Sequence, residues 1–141
     1  MVKIYKRYFI WLTLTFFVIS GCAHIFKDTK SEESLRERVQ KEWTAKKAGE
    51  WGTVYDLASK GFKNQVSRDK FIQRANLNVE GFSVEEIEVD SEQGKAWAKV
   101  TFDILQMGFP LKGLTLKEEW IWEDGEWRLN LDLNLKRTPF D

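Results

Sequence analysis

Trp120-Ile121-Trp122-Glu123-Asp124-Gly125-Glu126-Trp127-Arg128-Leu129 reads as a β-hairpin. Asp-Gly between two alternating runs is the strongest short hairpin signal, because a two-residue type I′ turn needs positive φ at both central positions. With Asp124 and Gly125 as the turn, Trp122 faces Trp127 and Trp120 faces Leu129. Carried further, the same register sets Glu118 against Leu131 and Leu116 against Leu133. The alternation continues beyond the hairpin, where Leu129, Leu131, Leu133 and Leu135 interleave with Arg128, Asn130, Asp132 and Asn134. Upstream, Ala96, Ala98, Val100, Phe102 and Ile104 alternate with Trp97, Lys99, Thr101 and Asp103. A period of two with one apolar face describes half-buried antiparallel strands. A less regular strand covers residues 82–89, and its parity slips between Val84 and Ile87, which predicts a bulge or bend.

Before residue 76 the period is close to four. Leu35, Val39 and Trp43 make one helical stripe, with Arg36, Glu37, Arg38 and Lys41 turned to water. Ser31 or Ser34 can cap this helix, and Ser34-x-x-Glu37 fits a capping box. Gly49 interrupts it. A second helix is expected over 50–59, with Trp51, Val54, Tyr55 and Ala58 on one face and Gly61 closing it. Ser67 can cap a third, over 68–75, that buries Phe71 and Ile72. Helices followed by antiparallel strands form an α+β pattern. One domain, over 31–137, accounts for everything after a tether at 22–30.

Trp43-x-Ala45-x-x-x-Gly49-Glu50-Trp51-x-x-x-Tyr55-x-Leu57, followed by Phe71 and by the hairpin ending Trp127-Arg128-Leu129, resembles the nuclear transport factor 2-like superfamily, with its ketosteroid isomerase-like and SnoaL-like members. The resemblance implies N-terminal helices on a strongly curved antiparallel sheet, shaped as a cone with a pocket at its open end. It also implies that the exposed sheet face can pair two copies into a homodimer. A cystatin-like arrangement of one helix on a sheet is the nearest competitor, and the helices after Gly49 count against it.

The N-terminus carries a different message. Lys3, Lys6 and Arg7 precede an apolar run over 9–19, and Ile19-Ser20-Gly21-Cys22 follows. A basic stretch, a short apolar core and small residues before a cut describe a secretory signal peptide over 1–21. The apolar run is well short of the roughly 20 residues that a membrane span needs. Ile-Ser-Gly-Cys resembles the lipobox of bacterial lipoproteins, which implies lipidation of the Cys22 thiol and anchoring in a membrane of the cell envelope. Ala23, in place of Asp, implies the periplasmic side of the outer membrane where the cell has one. Cys22 is the single cysteine, so no disulfide forms within the chain. Residues 23–30 extend to at most about 26–29 Å, which keeps the domain near the bilayer.

Composition narrows the partners. The chain has 22 basic and 22 acidic residues, and three of the bases lie in the signal peptide. The mature protein is therefore slightly acidic, which argues against nucleic acid. The single histidine, His24, lies outside the domain and so excludes histidine-based triads and dyads within it, as well as histidine-rich metal sites. No metal site and no cofactor is implied.

On the hairpin register Glu118 falls on the apolar face, where desolvation would raise its pKa, as general acid–base chemistry requires. Ketosteroid isomerases pair acidic residues with a tyrosine in an apolar cone, and Tyr55 is the candidate partner that this implies. A bulge within 111–117 would instead turn Glu118 to solvent. Trp97, Trp120, Trp122 and Trp127 are candidate linings of a ligand pocket, and the run 107–111 is an apolar loop between strands. The favoured reading is an anchored, non-enzymatic domain that binds a small apolar ligand or an envelope partner protein. An isomerase or dehydratase using Glu118 and a purely structural or dimerising module are the alternatives.

Overall fold

A computed structural model describes residues 30–131. The signal segment, Cys22, His24, Leu133 and Leu135 lie outside these residues. Helix α1 (Glu32–Ala48) is followed by α2 (Trp51–Leu57), α3 (Lys60–Lys63) and α4 (Arg68–Arg74), and then by strands β1 (Val79–Asp90), β2 (Lys95–Gln106), β3 (Phe109–Glu123) and β4 (Glu126–Leu129). The architecture is α+β: an open, four-stranded antiparallel sheet in the order β1-β2-β3-β4, with the helices packed on it.

Local chemistry places the elements. Ser31 caps α1, accepting from the Ser34 amide while the Ser34 hydroxyl accepts from the Ser31 amide, so the capping box uses Ser34 and not the expected Glu37. The helix ends at Gly49, whose φ of 74° is the left-handed conformation that glycine adopts without steric cost. Ser67 caps α4 as the sequence predicts. The second helix is shorter than expected. It stops at Leu57 because Ala58 bridges to Leu129, and Ser59 donates its amide to the Leu129 carbonyl at 2.9 Å. Ser59 then caps α3, so Gly61 lies inside a short helix instead of closing the previous one.

In the sheet, Asp124 and Gly125 take φ values of 52° and 82°, and Trp122 pairs with Trp127 and Trp120 with Leu129, as a type I′ turn demands. The parity slip in β1 is a register shift between Val84 and Glu86. The ladder between β3 and β4 ends sooner than the alternation suggests. Asn130 still donates to the Glu119 carbonyl, but Leu131 leaves the ladder and packs against both hydrophobic clusters. Leu131 therefore does not pair with Glu118, and Leu116 is left partly exposed.

The main core joins Leu35, Val39 and Trp43 of α1 to Ala96, Ala98 and Val100 of β2, Trp120 of β3, and Trp127 and Leu129 of β4. A smaller cluster holds Tyr55, Ala58 and Phe62, with Val66 and Phe71 packed on it. Phe71 and Ile72 are half-buried here, less deeply than a core-facing helix would place them.

Candidate functional site

The face of α1 that meets the sheet carries charge as well as apolar groups. Glu42 and Lys46 lie one turn apart on the stripe that includes Val39 and Trp43, and they are 0% and 8% exposed. Across from them, Glu118 projects from β3 beside Ala98 of β2 and is 7% exposed. The Lys46 ammonium sits 2.9 Å from Glu118 Oε1 and 2.5 Å from Glu42 Oε1, and 4.0 Å from the centre of the Trp43 ring. Trp43 Nε1 donates to Glu118 Oε2 at 3.0 Å. Both Glu118 oxygens are thus engaged.

Glu42 is less well served. Its Oε1 lies in ion-pair range of Lys46 without hydrogen-bonding geometry, and its Oε2 has no hydrogen-bond partner. Burial, with the repulsion of Glu118 added and the attraction of Lys46 opposing, lifts its pKa from 4.5 to about 8. At neutral pH Glu42 therefore holds its proton, which gives it a donor beside Glu118. Burial pulls the Lys46 ammonium down, but Glu42, ionised in the alkaline range where Lys46 titrates, and Glu118 outweigh it, and its pKa stands above the usual 10.5. Neutralised and enclosed, the cluster ties α1 to β3.

Sequence reasoning placed Glu118 on the apolar face, and the structure agrees. It missed Glu42 and Lys46. The signal was present: Leu35, Val39, Glu42, Trp43 and Lys46 form one continuous helical face, and the i, i+4 charge pair was hidden within it. The proposed partnership with Tyr55 is not formed. Tyr55 lies in the smaller cluster, where its hydroxyl donates to the Val66 carbonyl at 2.8 Å.

The four tryptophans line no common pocket. Trp120 and Trp127 are fully buried in the core, and Trp122 is half-buried with its ring 5.1 Å from that of Trp127. Trp97 points to the opposite sheet face, because its neighbours Ala96 and Ala98 face the core. There it lines a shallow groove of about 420 Å³ with Glu86, Glu88, Lys99, Thr115 and Lys117. Among the described residues no cluster of three or more His, Cys, Asp and Glu is placed to hold a metal ion, and no helix is long and apolar enough to cross a membrane.

The fold is similar to that of a SEC-C motif containing protein from Psychrobacter arcticus, at 7% identity and a TM-score of 0.59, over 76% of this chain and 63% of that one. It is also similar to the solution structure of a SEC-C motif containing protein from Rhodopseudomonas palustris, at 9% identity and a TM-score of 0.58, over 72% of this chain and 78% of that one. This chain therefore spans less than two thirds of the Psychrobacter protein. No family model and no curated protein matches. At such identities the likeness shows a shared fold alone. It nevertheless corrects the family expectation: the structural neighbours are SEC-C motif containing proteins, not nuclear transport factor 2-like, ketosteroid isomerase-like or SnoaL-like ones. The physical reason is that a glycine-stopped helix and an Asp-Gly hairpin are local solutions that unrelated α+β folds share.

Proposed function

We propose that this chain is a lipid-anchored domain of the bacterial cell envelope that works by binding a partner protein and not by catalysis. The observation that carries the binding reading is the state of Glu118. The carboxylate best placed for acid–base work is buried, and its oxygens are bound by Lys46 and Trp43, so it acts as a structural tie. The groove on the other sheet face does not include it.

The anchoring reading rests on Ile19-Ser20-Gly21-Cys22 and the apolar run before it. Two acyl chains suffice for stable membrane attachment, whereas one is marginal. Labelled fatty acid should enter the wild-type protein and be absent from Cys22→Ser, which should also leave the membrane fraction. Equal labelling of both proteins would overturn the lipoprotein reading.

A further inference from the structure

Helix α1 is tied to the sheet differently along its two halves. Near its start, Trp127 Nε1 donates to Ser34 Oγ at 3.2 Å, Arg36 donates to the Val84 carbonyl at 3.4 Å, and Arg38 pairs with Glu126. These ties reach β4 and β1. Beyond Arg38, among the described residues, every hydrogen bond and ion pair from α1 to the sheet ends on Glu118 of β3. The second half of the helix hangs on one carboxylate.

Glu42 sits inside that single attachment. The donors at hand are the Lys46 ammonium and the Trp43 indole, and both are hydrogen-bonded to Glu118. Neither Glu42 oxygen accepts a hydrogen bond, although the side chain is fully buried. As a carboxylic acid Glu42 is tolerable there, because it needs no counter-ion and brings a donor of its own. As a carboxylate it is a buried anion without a hydrogen bond, beside a second carboxylate and sharing one ammonium with it. The titratable groups that act on Glu42 are Lys46 of its own helix and Glu118 of β3; β1, β2, β4 and α2 contribute none. Water can solvate the anion only where this face of α1 parts from β3.

We propose that the second half of α1 is a proton-held latch: it lies closed on β3 while Glu42 is protonated, and it opens, with the first half still docked, when that proton leaves. Local opening of this kind is a cooperative event distinct from unfolding of the whole domain. In the open form Glu42 is hydrated and titrates as an ordinary carboxyl, near 4.5, against about 8 in the closed form. Opening therefore releases one proton between those values, and the open population rises about tenfold per pH unit before levelling off. What the latch uncovers is apolar. Trp43 packs against Phe82 and Phe102, with ring centres 6.0 and 4.7 Å away, and Ala98 and Val100 belong to the same core. The proton on Glu42 thus sets how often that part of the core is open.

Two indole N–H groups report on the two halves: that of Trp43 belongs to the latch, and that of Trp127 to the docked half. Their native-state hydrogen exchange is followed by NMR from pH 5 to 8 in the full-length protein. Each rate is divided by that of a free indole at the same pH, which gives an opening constant. Trp43 should open at least about tenfold more often than Trp127, and its opening constant should climb about tenfold per pH unit. In Glu42→Gln the Trp43 constant should stay flat over the same range. Glu42→Leu, which has neither the proton nor the charge, should give the same flat profile, so the outcome does not depend on one variant folding. A Trp43 indole as protected as that of Trp127 would show that α1 opens only when the whole domain unfolds, and would overturn the latch. A slope that persists in either variant would assign the proton to another group and overturn it equally.

Discussion

Lys46 and Glu118, 72 residues apart in sequence, meet at 2.9 Å inside the domain and join helix α1 to strand β3. Removing one member of a buried pair leaves an uncompensated charge, which typically costs about 3–5 kcal/mol. Lys46→Met should therefore lower the unfolding free energy by about that amount in a urea titration. A loss below about 1 kcal/mol would show that water reaches the cluster.

Glu42 makes the stability pH-dependent, with a definite sign. Its folded pKa of about 8 lies above the ordinary 4.5, so between those values the folded state holds a proton that the unfolded state has released. The stability from this group is fully present below pH 4.5, declines as pH rises, and is lost above about 8. Glu42→Gln keeps a donor toward Glu118 without the titration. It should be the more stable protein near pH 8, by an amount on the order of a few kcal/mol, and close to the wild type near pH 4. Parallel stability curves for the two proteins across this range would sink the assignment.

Glu118→Gln has a milder expected outcome than Lys46→Met. In this variant the repulsion that helps lift the Glu42 pKa is gone, so Glu42 releases its proton more readily and becomes available to Lys46 as an anion. NMR titration of the Glu42 carboxyl should show its midpoint move down in this variant.

Trp127→Ala should cost about 3–5 kcal/mol, since the ring is fully buried and packs edge-on against Trp122. Its Nε1 also donates to Ser34 Oγ at 3.2 Å. A change under about 1 kcal/mol on denaturant titration would contradict the burial.

At the end of α1, Gly49→Ala meets open space but must hold a φ of 74°. A cost of about 1 kcal/mol is expected, and thermal melting measures it.

The sheet was largely legible in the sequence because turn chemistry and two-residue periodicity are local. The Asp124-Gly125 register, the slip near Val84 and the inward direction of Glu118 all follow from neighbours along the chain. Less could be read where a tertiary contact decides. The second helix stops at Leu57 because Leu129 arrives from the far end of the chain, and no residue near Leu57 announces it. Glu42 and Lys46 illustrate a second limit. An i, i+4 acid–base pair on a helix ordinarily faces water, and only the facing carboxylate on β3 makes its burial tolerable. The separation of Trp97 from Trp120 follows directly from alternation, so reading them as one pocket set aside the periodicity that had defined the strands.

β4 also has a bearing on the order of events during folding. This strand of four residues is held by β3 on one edge and by Ala58 on the other, and Trp127 reaches back across 93 residues to Ser34. The main core lacks Trp127 and Leu129 until it arrives, and the smaller cluster lacks Leu131, which follows it, so a ribosome must release nearly all of the described residues before the domain can close. Until then the helices and the first three strands expose the surfaces that β4 will cover. Closure of the domain is therefore a late event, held back until β4, the last of the described strands, is in place.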